Sequence, residues 1–275
     1  MSANLRISER KTKFICKKLA QYIKTSYICR KILLPARQMI YISLPKPVIE
    51  RRLSFYLSME EYVARHLDDD CFFMWQVAPS VIFGRNQHLE NEVNVDYCRQ
   101  HHIQVYHRKS GGGCVYADHD NVMLSMITSG ADVGFAFNRF VSTILLILRK
   151  MGIEAVGTSH NDVMIGDRKV CGTACYHLGN KSIVHSTLLY DTQMEHMTQA
   201  ITPSADKLQK KGIQSVRQRI TLLKDHTTLS LEEVKQLIRQ TFTHDEYMLT
   251  AAEVEAIEQM ESVYLQDHFT QSANH

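Results

Sequence analysis

Three consecutive glycines, Gly111, Gly112 and Gly113, lie inside HRKSGGGCVYADHDN, residues 107–121. A run of this kind loses too much backbone entropy to sit within a helix or a strand, so it fixes a loop. Apolar segments on either side, IQVY at residues 103–106 and Val115-Tyr116, make it a loop held between two strands. Backbone without Cβ atoms can approach an anion closely and aim several N–H groups at it. Arg108 and Lys109 stand immediately upstream and add fixed positive charge. A glycine run alone also fits a mobile turn, but these neighbours favour an anion cradle. A second basic position, Lys169, follows in GDRKVCGTA, residues 166–174.

Around the loop, short strand patterns alternate with a few helical ones. Residues 39–45, MIYISLP, open as a strand. In residues 53–67, Leu53, Tyr56, Leu57, Met59, Tyr62, Val63 and Leu67 share one helical face. Glu60 and Glu61 point away from that face, and Asp68, Asp69 and Asp70 end the helix in solvent. Residues 72–75 and 81–83 read as a hairpin about Ala78-Pro79-Ser80 that Gly84 and Arg85 close, with Trp75 and Phe83 as core. After a short helix at 97–101 and the glycine loop comes a strand at 121–127, with its exit at Ser129-Gly130. A helix at 135–150 is built on Phe140, Ile144, Leu145, Ile147 and Leu148. Short strands at 153–156, 163–165, 169–174 and 183–189 are punctuated by Gly157, Gly166 and Gly179. Ser230 and Glu233 form a capping box for a helix with Leu231, Val234, Leu237, Ile238 and Phe242 on its buried stripe, and a last helix covers 251–264. Dense strands with helices before and after them indicate an α+β domain.

With 275 residues the chain can bury a proper core. Its formal charge of +3 invites a nucleic-acid reading, but the charge is unevenly spread. Residues 1–38 hold 10 Lys/Arg against one acid, Glu9, which leaves 22 basic and 28 acidic side chains in residues 39–275, a net of −6. Positive charge in that part is local, at Arg108, Lys109, Arg168 and Lys169, with no stripe for a phosphate backbone. The reading therefore expects no nucleic acid and no membrane partner. Apolar runs in residues 1–38 reach only three residues, as at 32–34, too short for a signal-peptide core or a membrane span. This basic segment reads as an over-extended start or, alternatively, an organellar leader. Seven cysteines without a paired framework suit a reducing, cytoplasmic setting without structural disulfides.

Several ordered motifs resemble the lipoate-protein ligase A family, within the biotin/lipoate ligase superfamily. Residues 107–121 are similar to its Arg-Arg-x-Ser/Thr-Gly-Gly-Gly-x-Val-Phe/Tyr-x-Asp-x-Gly-Asn signature. WQVAPSVIFGRNQH at 75–88 is similar to the family's Trp…Gly-Arg-x-Gln segment. HNDVMI (160–165), GDRKVCGTA (166–174), VHSTLL (184–189) and KGIQSVRQRIT (211–221) then follow in the family's order, so the likeness covers residues 39–269. His107, Lys109, Ala117 and Asp120 depart from the usual arginine, small residue, histidine and glycine. Asp120 would place negative charge beside a triphosphate.

The resemblance implies a mixed, largely antiparallel sheet flanked by helices, like that of class II aminoacyl-tRNA synthetases. It divides the chain into a basic extension (1–38), a catalytic domain (39–250) and a C-terminal helix and tail (251–275), lacking the small C-terminal domain that members commonly carry. It implies ATP-dependent activation of lipoate to lipoyl-AMP, with Mg²⁺, and transfer to a lysine on lipoyl domains of 2-oxoacid dehydrogenase complexes or the glycine cleavage H protein. Carboxylate and α-phosphate repel one another, and a lysine between them neutralises charge as the bond forms. Lys169 is the catalytic candidate; taken alone it reads as a solvated strand-end lysine. For ATP and lipoyl-AMP the candidates are Arg108, Ser110, Gly111, Gly112, Gly113, Cys114, Val115, Tyr116, Asn121, Asp162, Lys169 and Thr187. For lipoate they are Gly84, Arg85, Lys169 and His185. Arg108 is read as holding phosphate with its fork, and Asn121 and Asp162 equally as turn or strand-edge residues. Metal ligands stay unassigned, since Cys171 and Cys175 have no second pair at tetrahedral spacing.

Three alternatives remain open. One is transfer of a lipoyl or octanoyl group through a cysteine thioester, for which Cys114, Cys171 and Cys175 lie nearest. Another is use of a pre-activated donor or a separate subunit in place of the C-terminal domain. The third is binding of lipoate without catalysis. Biotin-protein ligase is disfavoured by the lack of a Gly-Arg-Gly-Arg-x-Gly-Arg loop.

Overall fold

The computed structural model describes residues 39–130, 132–158, 162–202 and 219–268. The basic segment 1–38, the start of HNDVMI, most of KGIQSVRQRIT and the tail at 269–275 lie outside the described residues. In chain order the main elements are β1 (Met39–Ser43), α1 (Leu53–His66), β2 (Asp70–Trp75), β3 (Ser80–Phe83), α2 (Leu89–Glu92), α3 (Val95–Gln100), β4 (Gln104–His107), β5 (Val115–Ala117) and β6 (Asn121–Ser129). They continue with α4 (Val133–Lys150), β7 (Val156–Gly157), β8 (Asp162–Ile165), β9 (Arg168–Leu178), β10 (Lys181–Leu189), α5 (Met194–Ala200), α6 (Leu231–Phe242), β11 (Asp245–Met248) and α7 (Ala251–His268).

Eight strands form one sheet in the order β11-β1-β2-β6-β10-β9-β8-β7, and a smaller sheet runs β4-β3-β5. In the large sheet β1 pairs in parallel with β11 and β2, and the other neighbours are antiparallel. This is the α+β domain expected from the strand pattern, with the largely antiparallel sheet that the resemblance implies.

Period-two alternation assigns the two faces of the large sheet to two cores. Cys71, Phe73 and Trp75 of β2, Met123 and Ile127 of β6, and Ile183 of β10 join Leu53, Phe55 and Met59 of α1 and Val254 and Ile257 of α7. Phe72, Val122, Leu124, Met126, Val184 and Leu188 face the opposite way, against Phe140 and Ile144 of α4 and Val234, Ile238 and Phe242 of α6. A third cluster, with Val81, Cys98, Ile103, Tyr116 and Met197, lies behind the small sheet. The Ser230–Glu233 capping box is present at the start of α6.

Four expectations are corrected. β2 and β3 are not a hairpin: β2 lies between β1 and β6, while β3 is the centre of the small sheet. The linker through Pro79 carries the chain from one sheet to the other, and the Pro79 carbonyl accepts from Gln104 N–H at the entrance to β4. Secondly, α1 is buried almost all round, in 12 of its 14 residues. Sheet and α7 enclose it, so Glu60 and Glu61 are inside, at 0% and 4% exposure. Thirdly, Asp70 is buried at the start of β2, where it pairs with Arg139 at 2.6 Å and accepts from Ser129 N–H. The strand expected at 153–156 shrinks to β7.

Phe242 stacks on Phe72 with ring centroids 4.2 Å apart and packs on Phe140 at 5.6 Å, tying α6 to the sheet and to α4. Phe242→Ala is expected to lower the unfolding free energy by about 3–5 kcal/mol. The urea midpoint should fall accordingly, with no change in slope.

Candidate active site

The glycine loop leaves β4 and returns as β5, both hydrogen-bonded to β3. Its shape is set from within by Arg108, a residue only 5% exposed. The guanidinium donates to the carbonyls of Ile82 (3.0 Å), Gly111 (2.8 Å) and Gly113 (2.7 Å), and Nε donates to Ser110 Oγ at 2.9 Å. The fork read from sequence as a phosphate clamp is thus turned onto the loop's own carbonyls. Arg108 still reaches the cavity wall, but its hydrogen bonds hold the cradle. Gly84 packs against this loop so closely that an added Cβ would lie 2.2 Å from the Gly112 carbonyl oxygen. Arg85 has an exposed side chain and contributes its backbone N–H to Ser110 O at 2.9 Å.

Lys169 reaches the site through an irregularity in β9. Met164 pairs with Lys169 and Asp162 with Gly172, so β9 uses three steps where β8 uses two. Without that bulge, strict alternation would put Lys169 and Gly172 on opposite faces. With it, the lysine lies across Gly172, where an added Cβ would meet Nζ at 2.5 Å. Lys169 Nζ pairs with Asp162 Oδ1 at 2.7 Å, and Arg219 Nη2 with Asp162 Oδ2 at 2.8 Å. One carboxylate therefore holds two cations at the same mouth.

These groups border a cavity of about 650 Å³. Gly112, Gly113, Cys114 and Val115 line it, as do Asp162, Lys169, Thr187 and Arg219. Leu57, Trp75, Ile82, Met123 and Ala174 supply an apolar part, and His185 adds a ring there. His185 contacts Ser110 Oγ through Nε2 at 2.7 Å and Glu60 Oε2 through Nδ1 at 3.0 Å. Thr187 donates to Met123 Sδ at 3.3 Å.

Several sequence candidates lie behind this surface. Tyr116 is 1% exposed within the third cluster, because the strand that starts at Val115 turns alternate side chains inward. Asn121 is buried and donates to Thr192 Oγ1 at 2.9 Å, joining two turns through its amide. Ser110 is buried beneath the loop, and the carbonyl of Gly111 is held by Arg108. Lys109 turns to Glu61 at 2.5 Å. Asp120, the suspect negative charge, lies in the β5–β6 turn, where its N–H donates to Asp118 and its carbonyl accepts from Asp191.

Glu60, Leu57, Met123 and Arg219 were not read as site residues from the sequence. Arg219 was inside a quoted motif, but nothing there distinguishes it from the arginine two residues before. Glu60 carried the opposite signal, an acid on an apparently outer helical position.

The five cysteines among the described residues are free. Cys114 lines the cavity, yet burial pushes its thiol up to about 12. Burial likewise raises Cys171 and Cys175 to about 11. A thiolate nucleophile is the wrong protonation state for all three near neutrality. Among the described residues no three His, Cys, Asp or Glu side chains gather as a metal site. The cavity does present Asp162 and the exposed Asp167, and one or two carboxylates beside phosphate oxygens are what Mg²⁺ commonly uses. No helix among the described residues is long and apolar enough to cross a membrane.

Comparison with known proteins matches residues 53–243 to the family model of the lipoyl protein ligase A/B catalytic domain. A lipoate-protein ligase of Staphylococcus aureus is 34% identical over 213 residues, which are 74% of this chain and 65% of that protein. The chain thus spans just under two thirds of that relative's length. A structure of an archaeal bi-partite lipoate protein ligase from Thermoplasma acidophilum aligns with a TM-score of 0.71 and 23% identity, covering 82% of this chain and 92% of that one. A lipoate-protein ligase A structure bound with ATP gives a TM-score of 0.71 at 21% identity, covering 82% and 94%. At such identities the likeness is one of fold.

One substitution and one labelling experiment check the geometry. Gly84→Ala should cost about 1–3 kcal/mol, because the Gly112 backbone cannot yield as a side chain would, and amide exchange should quicken first at residues 110–114. Cys114 in the native protein should react with iodoacetamide at pH 8 on the order of a hundredfold or more slower than free cysteine.

Proposed function

The chain belongs to the lipoyl protein ligase A/B catalytic domain family, and on that premise we propose that it joins lipoate to a protein lysine by way of lipoyl-AMP. The observation that carries this reading is Lys169, laid over Gly172 in one cavity that the glycine loop and apolar side chains also line. Leu57, Trp75, Ile82, Met123 and Ala174 suit an acyl chain. Gly112, Gly113 and the flanking backbone of Cys114 and Val115 suit the nucleotide, together with Thr187. The lipoate carboxylate then meets the α-phosphate of ATP beside the Lys169 ammonium.

In the first step a carboxylate oxygen attacks the α-phosphorus, the bond to the β-phosphate bridging oxygen breaks, and pyrophosphate leaves. Lys169 offsets the repulsion between the two anions and the charge that builds at phosphorus. Arg219 is freed to face pyrophosphate when the nucleotide competes for Asp162's two cations. Mg²⁺, held by Asp162 or Asp167 together with phosphate oxygens, would screen the triphosphate. In the second step an acceptor lysine amine attacks the carbonyl of lipoyl-AMP, loses its proton, and AMP departs. The acceptor is a lipoyl domain of a 2-oxoacid dehydrogenase complex or the glycine cleavage H protein, in a cytoplasmic setting.

A second reading draws on the archaeal neighbour, which is described as bi-partite together with its E2 lipoyl domain. On that reading a separate subunit completes activation and this chain transfers from lipoyl-AMP. The raised thiols of Cys114, Cys171 and Cys175 oppose the thioester route.

Intact-mass measurement of an apo lipoyl domain, after incubation with the protein, Mg²⁺, ATP and lipoic acid, separates these readings. A mass gain with ATP is expected. Gain only from supplied lipoyl-AMP would favour the two-subunit reading, and binding of lipoate with no gain from either would leave a binding protein. Lys169→Ala should slow lipoyl-AMP formation by on the order of 10²–10³ while the melting temperature holds. Unchanged turnover would remove Lys169 from the chemistry.

A further inference from the structure

Two acids on α1 reach the base of the glycine loop from inside the protein. Glu60 is wholly buried and has two polar neighbours: Ser125 Oγ donates to Oε1 at 2.6 Å, and His185 Nδ1 stands 3.0 Å from Oε2. Beyond Ser125, Trp75 Nε1 donates to the serine oxygen at 2.9 Å. Beyond His185, Nε2 lies 2.7 Å from Ser110 Oγ, which also accepts from Arg108 Nε. One residue before Ser110, Lys109 pairs with Glu61.

The direction of the hydrogens follows from the chemistry of the groups. A carboxylate only accepts, so His185 directs Nδ1–H at Glu60. In a neutral ring Nε2 is then the acceptor and takes the Ser110 hydroxyl hydrogen. The serine oxygen keeps a lone pair for Arg108 Nε–H, and Arg108 in turn holds the carbonyls of Gly111 and Gly113. Each link satisfies the next, and the line ends on the loop.

We propose that Glu60 is a positioning residue that sets the glycine loop through His185 and Ser110, coupling the acyl wall of the cavity to its nucleotide wall. The same helix places Leu57 in the apolar wall one turn earlier, and its Tyr56 stacks on Trp75 at 4.8 Å. A chain seated against Leu57 and Trp75 therefore presses on the element that orients Ser110. Glu60 itself touches no reacting atom. As far as it concerns the nucleotide, this inference rests on the ligase reading above; the fixing of the loop does not.

Glu60→Met keeps the length of the side chain but offers no acceptor, so His185 Nδ1–H loses its partner and the line breaks at its start. Ser110→Ala breaks it at the loop, and Ser125→Ala removes the other Glu60 partner while leaving the line to the loop intact. Amide exchange of residues 111–114 should quicken by ~10-fold in the first two variants and stay near wild type in Ser125→Ala, with melting temperatures close to wild type. In the active enzyme the same two variants should raise KM for ATP by about tenfold with kcat within about twofold. The double variant Glu60→Met/Ser110→Ala should be no worse than Ser110→Ala alone, as residues on one line are not additive. Loop exchange unchanged in Glu60→Met, independent effects that multiply in the double variant, or quickened exchange throughout the molecule with a lower melting temperature would each overturn the proposal. Local quickening in a protein that forms no lipoyl-AMP would sustain the positioning of the loop and remove the ligase reading instead.

Discussion

The nine-residue antiparallel ladder between β6 and β10 is the constraint on which the rest depends. It pairs Asn121 with Leu189 at one end and Ser129 with Lys181 at the other, without interruption. Because side chains alternate, this register alone sends Met123, Ser125, His185 and Thr187 toward the cavity side and Leu124, Met126, Val184 and Leu188 into the opposite core. A slip of one residue would exchange the two sets. The buried line through Glu60 exists because Ser125 and His185 are cross-strand partners in that ladder.

Against this regular centre, the site is made from departures. The bulge in β9 turns Lys169 onto the cavity face, Gly172 leaves the room it lies in, and Gly84 lets the glycine loop come within contact of β3's end. Each feature is local, and each only makes sense beside a neighbour distant in sequence. Charge is handled similarly. Asp162 holds Lys169 and Arg219, while Arg108 spends its donors on carbonyls, so the cations are ordered before any anion arrives.

Helix α1 shows where periodicity misleads. Its apolar residues do share a face, but a helix enclosed by a sheet, a second helix and a loop has no solvent side. Two acids in such a helix must find partners, and they find them in the glycine loop and its supports. The supposed hairpin failed for a related reason: strand pairing depends on which partner is available, and β6 and β4 offered ladders to β2 and β3 separately.

What the sequence by itself determined is local chemistry: a glycine run too flexible for regular structure, a capped amphipathic α6, the strand segments, and the ordered motifs that placed Gly112, Gly113, Lys169, Asp162, Thr187 and His185 near one site. These follow from backbone preference and side-chain period, which act over a few residues. The tertiary structure alone decided that Arg108 faces inward, that Tyr116 and Asn121 lie behind the cavity, that Arg219 shares Asp162 with Lys169, and that Glu60 is buried beneath His185. Those outcomes depend on pairs 26 to 125 residues apart, brought together by sheet register and helix packing, and no pattern within a short window records them.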